Sequence, residues 1–449
     1  MKKVITYGTY DLLHYGHIRL LERAKKLGDY LIVGVTSDDF DKKRGKINVQ
    51  QSLMERIQNV KETGLADEII VEEYEGQKID DIIAYGVDIF TVGSDWEGKF
   101  DYLNEYCQVK YLSRTEGVSS SEIRTEKRRI RLGLVGKVEN IKKIATESNF
   151  VNGIEVVGIC TDDLKDIDTL NSNLEFVTND YNELLEKVDA VYLISHPSLH
   201  YEQILKALNS NKHVLCESPI ALSKNECKKA YALAKEKKLI LMDSQKTAYT
   251  TAYTRLLLLL KGGIIGDIVS IDSTCTSLEK MNNISNEDLP NQWNSICAWG
   301  PTAMLPIFQL LGTKYTKKSI NSLYLNKELK FDAFTKIDFL YKNAVASIKV
   351  GKCVKSEGEL IVTGTKGYVY VPSPWWKTDY FEIRYENFKE NKRYYYQLEG
   401  EGYRYELVSF VKAITTNRLS QKITEDVSSE ICNVIEHFYK EEDLMILGK

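Results

Sequence analysis

The sequence predicts an α/β protein with a Rossmann-like domain at the start, followed by a Rossmann domain joined to an α/β domain built on a largely antiparallel, open-faced sheet. Short apolar runs alternate with helical patterns in two successive segments, which predicts two parallel sheets wound with helices. From about residue 264 the runs become longer and alternate apolar with polar residues. That pattern is typical of an antiparallel sheet with one open face.

The length of the chain indicates more than one domain. A chain of 449 residues exceeds what a single core normally holds. A charged run at 126–129 ends the first segment, and a new apolar run begins at once at Ile130. We therefore expect domains at 1–130, 131–250 and 251–449.

Composition limits the class of protein. The sequence is 43% hydrophobic with a net charge of −4, so no global charge favours nucleic acid or an anionic membrane. It opens directly on an apolar strand and has no apolar run long enough to cross a bilayer, so we expect a cytoplasmic protein without membrane insertion. None of the eight cysteines has Cys-x-x-Cys spacing, so we expect reduced thiols and no zinc site.

The first segment contains five short apolar runs. They lie at 4–7, 30–35, 68–71, 89–92 and 109–112. In a parallel sheet, ligands bind beyond the carboxyl ends of the strands. The stretches 8–17, 93–96 and 114–121 each follow a strand, so we expect all three to face one crevice.

Two histidines lie in the first of these stretches. His14 and His17 are separated by Gly16 and lie where the first strand turns into a helical pattern, and the whole chain has only six histidines. Backbone N–H groups and the helix dipole favour anions at such a turn, and imidazoles add hydrogen bonds to phosphate. The turn is therefore predicted to bind phosphate.

The stretch from Gly8 to His17 resembles the HxGH signature of the nucleotidyltransferase superfamily. Within that superfamily, residues 8–34 are similar to the glycerol-3-phosphate cytidylyltransferases of teichoic-acid synthesis. The stretches VGSDWEGK at 92–99, RTEG at 114–117 and VSSSEI at 118–123 support the similarity. Together these motifs span residues 1 to about 127, whereas HxGH alone leaves the nucleotide open.

The resemblance implies roles for individual residues. It gives catalytic roles to His14, His17, Lys46 and Arg114. It places nucleotide binding at Thr9, Tyr10, Asp11, Gly16, Asp95, Trp96, Thr115, Ser119, Ser120 and Ser121. Alternatives stay open for two residues. Asp11 holds the turn, caps the helix or has an indirect role towards a metal, and Lys46 is an ordinary exposed lysine.

The acceptor site is implied by the same resemblance. Arg56 is expected to hold the acceptor phosphate, while Gly64 stands where the family often carries a second arginine two turns on. A polyol phosphate is the expected acceptor, glycerol 3-phosphate first, with another polyol or sugar phosphate as the alternative. CTP is the expected donor, Mg²⁺ the expected cofactor and a homodimer the expected assembly.

The second segment contains a further series of predicted strands. They lie at 132–135, 155–159, 190–194, 213–217 and 240–243, then at 268–274, 334–341, 344–350, 359–364 and 367–371, before a final helix at Glu425–Tyr439. Residues 131 to about 445 resemble the Gfo/Idh/MocA oxidoreductase family, which joins an NAD(P)-binding Rossmann domain to an α/β substrate domain. The matching stretches are 198–201, 207–219, 264–268, 364–369 and 400–403 followed by Glu406 and Phe410.

Three positions depart from that family. The turn 136–141 keeps only Gly136 of the glycines that approach a pyrophosphate. The family's Glu-Lys-Pro motif, which carries the catalytic lysine, reads Glu217-Ser218-Pro219, and the later motif at 300–308 lacks its Asp and its His or Tyr. We therefore expect a degenerate second domain that no longer transfers hydride.

Two alternatives remain for the second domain. One is a bifunctional enzyme that reduces a keto-sugar phosphate with NAD(P)H before cytidylylation, with Gly136, Asp162 and Glu217 as dinucleotide-binding residues. Asp162 on its own can also be interpreted as an ordinary aspartate in a turn. The second alternative is a non-catalytic binding or assembly module.

Overall fold

The computed structural model describes residues 1–11, 13, 15–43, 49, 51–74, 76–113, 129–162, 174–279, 289–396, 398, 400–417 and 422–448. The chain divides into unit 1, Met1–Arg129, and unit 2, Ile130–Lys449. The further division of the second part at residue 250 stays a prediction.

Unit 1 is built on one parallel sheet. Its strands are β1 (Lys3–Gly8), β2 (Tyr30–Thr36), β3 (Glu68–Glu72), β4 (Ile89–Gly93) and β5 (Gln108–Leu112), and its helices are α1 (Tyr15–Lys25), α2 (Asp38–Lys43), α3 (Leu53–Glu62) and α4 (Gln77–Tyr85). The strand order is β3-β2-β1-β4-β5, and every pairing is parallel. The chain order therefore reverses between β1 and β4, which is where such sheets bind ligands.

Both faces of this sheet are covered because its strands are apolar on both sides. Val4 on β1 packs with Leu21 of α1 and Val60 of α3 in one cluster. The next residue, Ile5, points to the other face and packs with Ile82 of α4.

Unit 2 contains two sheets. The first has strands β6 (Ile130–Gly136), β7 (Ile154–Cys160), β8 (Phe176–Thr178), β9 (Ala190–Ile194), β10 (His213–Glu217) and β11 (Leu241–Ser244), and the second has β12 (Ile268–Thr276), β13 (Lys317–Asn326), β14 (Phe331–Leu340), β15 (Val345–Gly351), β16 (Leu360–Gly364), β17 (Tyr368–Val371), β18 (Tyr380–Arg384), β19 (Lys392–Tyr395) and β20 (Leu444–Ile446). The helices are α5 (Val138–Ser148), α6 (Tyr181–Lys187), α7 (Pro197–Asn209), α8 (Lys224–Glu236), α9 (Thr251–Lys261), α10 (Ser295–Leu311), α11 (Tyr403–Thr416) and α12 (Glu425–Tyr439).

The first sheet of unit 2 is parallel, in the order β11-β10-β9-β6-β7-β8. The second runs β19-β18-β17-β16-β12-β15-β14-β13-β20 and is antiparallel except at β12–β15 and β13–β20. The prediction of two parallel Rossmann-like sheets followed by a largely antiparallel sheet is confirmed.

The sequence does not predict β8, β13 or β18 to β20. The first of these has only three residues, and β19 carries exposed lysine and arginine side chains at its start. Strand β13 begins Lys317-Lys318, a charged pair that hides its alternation of buried and exposed side chains. Pairing with β14 and β20, rather than local composition, makes this segment a strand.

Within the described part of the chain, no helix combines the length and the apolar character that a membrane crossing requires. All eight cysteines are free thiols, and six of them are buried.

Candidate active site

The turn after β1 is shaped by an aromatic ring. Tyr10 is 1% exposed and adopts a left-handed backbone conformation with φ of 51°. Its ring folds back over Gly8, where an added Cβ would lie 3.0 Å from the ring atom Cζ. A side chain at Gly8 would therefore displace the ring, which explains the glycine at the end of this strand.

His17 lies next to this turn. It is the third residue of α1, and its ring meets the Tyr10 ring edge-on with centroids 5.5 Å apart. The N-terminus of α1 carries the positive end of the helix dipole, so an anion is favoured beside His17. His14, the other predicted histidine, lies outside the described residues.

Thr9 and Asp11 bind neighbouring segments. The Thr9 hydroxyl donates to Asp41 Oδ1 of α2 at 2.9 Å, and the backbone N–H of Gln51 donates to Asp11 Oδ1 at 3.0 Å. Asp11 is 2% exposed. The contact with Gln51 agrees with the interpretation that Asp11 holds the turn, and its nucleotide-binding role stays a prediction.

Arg56 is fully buried beneath this turn. Its guanidinium donates to the carbonyl oxygens of Thr9 at 2.6 Å, Thr36 at 2.8 Å and Gln51 at 3.2 Å, and it forms an ion pair with Asp38. The Arg56 side chain thereby links the turn after β1 to the end of β2 through hydrogen bonds. These guanidinium N–H groups of Arg56 donate to protein atoms. The role of Arg56 towards an acceptor phosphate stays a prediction.

The start of α3 positions Arg56. Ser52 caps the helix by accepting from the N–H of Glu55, and the Glu55 carboxylate accepts from the N–H of Ser52 at 2.7 Å. This reciprocal pair is a capping box, and the Ser-x-x-Glu spacing is visible in the sequence. It fixes the first turn of α3, on which Arg56 lies.

The turn after β4 lies beside the turn after β1 because these two strands are neighbours. Ser94–Trp96 form a 3-10 turn, in which Asp95 is exposed and Trp96 is partly buried. The Trp96 ring packs against Phe100 with centroids 5.8 Å apart, and Lys99 Nζ lies 4.9 Å from the Trp96 ring centroid. Asp95 and Trp96, two of the predicted nucleotide-binding residues, therefore lie at the point where the strand order reverses.

A charged cluster at the carboxyl ends of β2 and β3 is a feature that sequence reasoning missed. Glu72, 1% exposed, accepts from the Thr36 hydroxyl at 2.8 Å and pairs with Lys78 of α4. Lys78 Nζ lies 4.8 Å from the ring centroid of Tyr7, whose hydroxyl donates to Asp81 at 2.7 Å. Burial and this bond raise the pKa of Tyr7 above its ordinary value. Charged residues directly after a predicted strand are the signal that could have identified the cluster.

The remaining predicted residues of unit 1 divide into two groups. Gly16 is described and lies in the first turn of α1. Outside the described residues lie Lys46, Arg114, Thr115, Ser119, Ser120 and Ser121.

Unit 2 has a large crevice at the carboxyl ends of its parallel strands. Its volume is about 1590 Å³, and its lining includes Gly136, Asp162 and Glu217, the three residues predicted for dinucleotide binding. Gly136 has φ of 148°, and an added Cβ would lie 2.8 Å from the carbonyl oxygen of Ile194. This position therefore excludes any side chain, because its backbone lies against that of Ile194 at the end of β9.

The positions that depart from the Gfo/Idh/MocA motifs lie in the protein interior. Ser218 is 4% exposed, and its hydroxyl accepts from Gln245 Nε2 at 3.2 Å. The later motif lies inside α10, where Met304 and Phe308 belong to the main hydrophobic core. Neither position supplies a charged group to the crevice.

Two family models match the chain. The cytidylyltransferase-like family matches residues 5–126, and the oxidoreductase family with an NAD-binding Rossmann fold matches residues 130–244.

Curated relatives match the first part of the chain. Glycerol-3-phosphate cytidylyltransferase of Bacillus subtilis (strain 168) is 51% identical over 126 residues, which are 28% of this chain and 97% of the relative. The enzyme of the same name from Staphylococcus aureus is 48% identical over 131 residues, covering 28% of this chain and 95% of the relative.

Solved structures match the larger part. A 3-ketoreductase from Actinomadura kijaniata, in complex with NADP and TDP-benzene, superposes with a TM-score of 0.60 at 17% identity over 72% of this chain and 100% of that one. At this identity the likeness shows the fold.

Fold, site and similarity together define an enzyme of the nucleotidyltransferase class. More particularly, the chain belongs to the cytidylyltransferase-like family. It joins a glycerol-3-phosphate cytidylyltransferase-like domain to a Gfo/Idh/MocA oxidoreductase-like domain.

Proposed function

We propose that unit 1 transfers CMP from CTP to a polyol phosphate, giving a CDP-polyol and pyrophosphate, with glycerol 3-phosphate as the leading acceptor. The observation that carries the proposal is the 51% identity to a glycerol-3-phosphate cytidylyltransferase over a domain whose signature turns meet at the β1–β4 reversal. A CDP-polyol of this kind would serve the synthesis of a cell-surface polymer.

The chemistry demands positioning more than covalent catalysis. An oxygen of the acceptor phosphate attacks the α-phosphorus of CTP, the bond to the β-phosphate oxygen breaks, and pyrophosphate leaves. The acceptor oxygen is already anionic, so no strong base is needed, and the barrier is charge repulsion and charge build-up. His14 and His17, with the N-terminus of α1, would donate to the phosphates, while Lys46, Arg114 and Ser119 to Ser121 would hold the triphosphate.

Magnesium would enter with CTP. It prefers oxygen ligands and keeps several waters, so the triphosphate oxygens suffice to bind it. Among the described residues, no group of three or more His, Cys, Asp or Glu side chains could hold a metal ion, and we assign no residue of this chain as a ligand.

Nucleotide choice would rest on the turn after β4. A carboxylate accepts a hydrogen bond from the amino group of cytosine, whereas uracil presents a carbonyl oxygen at that position. Asp95 is exposed at the end of β4 and has the acceptor chemistry that favours CTP, and Trp96 offers an apolar face beside it.

The acceptor is identified by a panel of phosphates. We expect the full-length protein with CTP and magnesium chloride to release pyrophosphate with glycerol 3-phosphate at least about tenfold faster than with ribitol phosphate, glucose phosphate or inorganic phosphate. A coupled pyrophosphate assay measures the rates. A faster rate with another polyol phosphate would reassign the acceptor, and no release with any of them would contradict the proposed reaction.

A second candidate function is supported by the crevice of unit 2. Its volume of about 1590 Å³ exceeds the roughly 300–1,000 Å³ of pockets for drug-sized ligands, so its volume is large enough for an extended dinucleotide. The constraint at Gly136 also suits a pyrophosphate beside the N-terminus of α5, although Glu139 in the first turn of that helix adds an opposing charge. We propose that unit 2 binds a nicotinamide dinucleotide, which would supply or accept a hydride there.

A further inference from the structure

The topology of unit 2 indicates where the reactive half of a dinucleotide would lie. The chain order of the parallel sheet reverses between β6 and β9, and a dinucleotide crosses such a reversal. Gly136 ends β6 and Asp162 follows β7, so these residues would face the pyrophosphate and one ribose. The other half would then extend over the carboxyl ends of β9 and β10.

Glu217 ends β10 and lines this part of the crevice. Near it lies a buried polar cluster. In this cluster the fully buried Glu406 accepts from the hydroxyls of Tyr192 at 2.7 Å and Ser244 at 2.9 Å through the same oxygen, Oε1. The other oxygen, Glu406 Oε2, is buried without a hydrogen-bond partner among the described residues. A buried carboxylate oxygen that lacks a hydrogen-bond partner disfavours a second negative charge nearby.

The titratable groups around Glu217 come from several elements. They are Glu406 and Tyr403 on α11, Asp243 on β11, Lys246 in the turn after β11, Tyr192 on β9 and Cys216 on β10 itself. Burial and the neighbouring Glu406 raise the pKa of Glu217 to about 8, against the opposing effect of Lys246. The pKa of Glu406 is raised to about 7 by burial. The raised pKa favours the protonated form of Glu217 at neutral pH.

Other titratable groups in the crevice are less suited to carry a proton. The His196 ring lies between Ser198 Oγ at 2.8 Å and the Gln292 carbonyl oxygen at 3.2 Å, and burial lowers its pKa. Lys352 Nζ donates to the Trp293 carbonyl oxygen at 3.0 Å and pairs with Glu279. Burial raises the pKa of Tyr403 above its ordinary value.

We infer that Glu217 is the proton-carrying residue of the unit 2 crevice, beside the nicotinamide half of a bound dinucleotide. The inference rests on the second candidate function, and it assigns to a carboxyl group the proton transfer that Ser218 cannot perform. In the reducing direction, a hydride from the dinucleotide bonds to the carbonyl carbon of a ketone substrate, and the Glu217 carboxyl gives its proton to the carbonyl oxygen. The products are a secondary alcohol, the oxidised dinucleotide and the Glu217 carboxylate.

Proton-linked binding tests this assignment without a substrate. The oxidised nicotinamide ring is positive, so the Glu217 carboxylate favours NAD⁺, and the neutral carboxyl does not. We expect the affinity for NAD⁺ relative to NADH, measured by calorimetry on the full-length protein, to rise about tenfold between pH 6.5 and pH 9.5. A tenfold change corresponds to a difference of about one unit in the pKa of Glu217 between the NADH complex and the NAD⁺ complex. NADP⁺ and NADPH form a parallel pair of probes.

The Glu217→Gln variant mimics the neutral carboxyl. It should bind NADH at pH 6.5 within about twofold of the unaltered protein and lose the pH dependence of the affinity ratio. Glu236→Gln, at an exposed position on α8, is the matched control and should keep the pH dependence.

The outcomes separate the two proposals. Absence of binding by all four dinucleotides would overturn the second candidate function and the role of Glu217 with it. Binding whose affinity ratio does not change with pH, or changes equally in Glu217→Gln, would overturn only the assignment to Glu217.

Discussion

We expect the His17→Ala variant to turn over CTP at least about 100-fold more slowly than the unaltered protein. His17 lies at the N-terminus of α1 and is braced by the Tyr10 ring, so its imidazole is held in place before CTP binds. Removing one such donor to a developing charge typically costs about 100- to 1,000-fold in kcat. The loss should fall mainly on kcat, because an interaction made in the transition state contributes little to KM for CTP.

Steady-state pyrophosphate release by the full-length variant measures this effect. His437→Ala, at a histidine on α12 in unit 2, is the matched control and should keep full activity. A loss of less than tenfold for His17→Ala, about 1.4 kcal/mol, would contradict the role assigned to His17.

The second large effect concerns stability. We expect Arg56→Ala to lower the free energy of unfolding of unit 1 by about 3–5 kcal/mol. Asp41, which is 1% exposed and lies 3.9 Å from the Arg56 guanidinium, would lose this opposite charge in the interior. The substitution also leaves the carbonyl oxygens of Thr9, Thr36 and Gln51 without their donor. Hydrogen exchange of peptides from β1 and β2, followed by mass spectrometry in increasing urea, assigns the loss to this unit.

The same variant separates the two roles of Arg56. Lys61→Ala, at an exposed position on α3, is the control and should leave stability within about 0.5 kcal/mol. If Arg56→Ala keeps its stability and only raises KM for the acceptor phosphate, Arg56 binds the acceptor and the structural role is wrong.

The parallel sheets of both units could be predicted because their strands are short, apolar and separated by helical patterns. Strand β2 is buried along nearly its whole length, so its sequence is continuously apolar and easy to recognise. Strand β13 could not be predicted, since its polar start becomes a strand only through its neighbours. The final helix, Glu425–Tyr439, was predicted with its observed bounds.

The site could be predicted where residues follow a strand directly. The turns after β1 and β4 were expected in one crevice, and the strand order places them side by side. Three partners of Arg56, namely Thr9, Thr36 and Asp38, could not be predicted, because they lie 18 to 47 residues away in the chain. The proximity of Glu217 to Glu406 could not be predicted either, because Glu406 lies on α11, far along the chain from β10. A dimeric assembly and a cytoplasmic location stay predictions.

The central claim is that the turn after β1 serves a CTP-dependent transferase. The most direct measurement is pyrophosphate release by the full-length protein with glycerol 3-phosphate and magnesium, compared among CTP, UTP, ATP and GTP. We predict release with CTP at least about 100-fold faster than with the other three, because a site that hydrogen-bonds one base discriminates strongly against bases that lack the matching group. Equal rates with ATP, or no release with CTP, would contradict the claim.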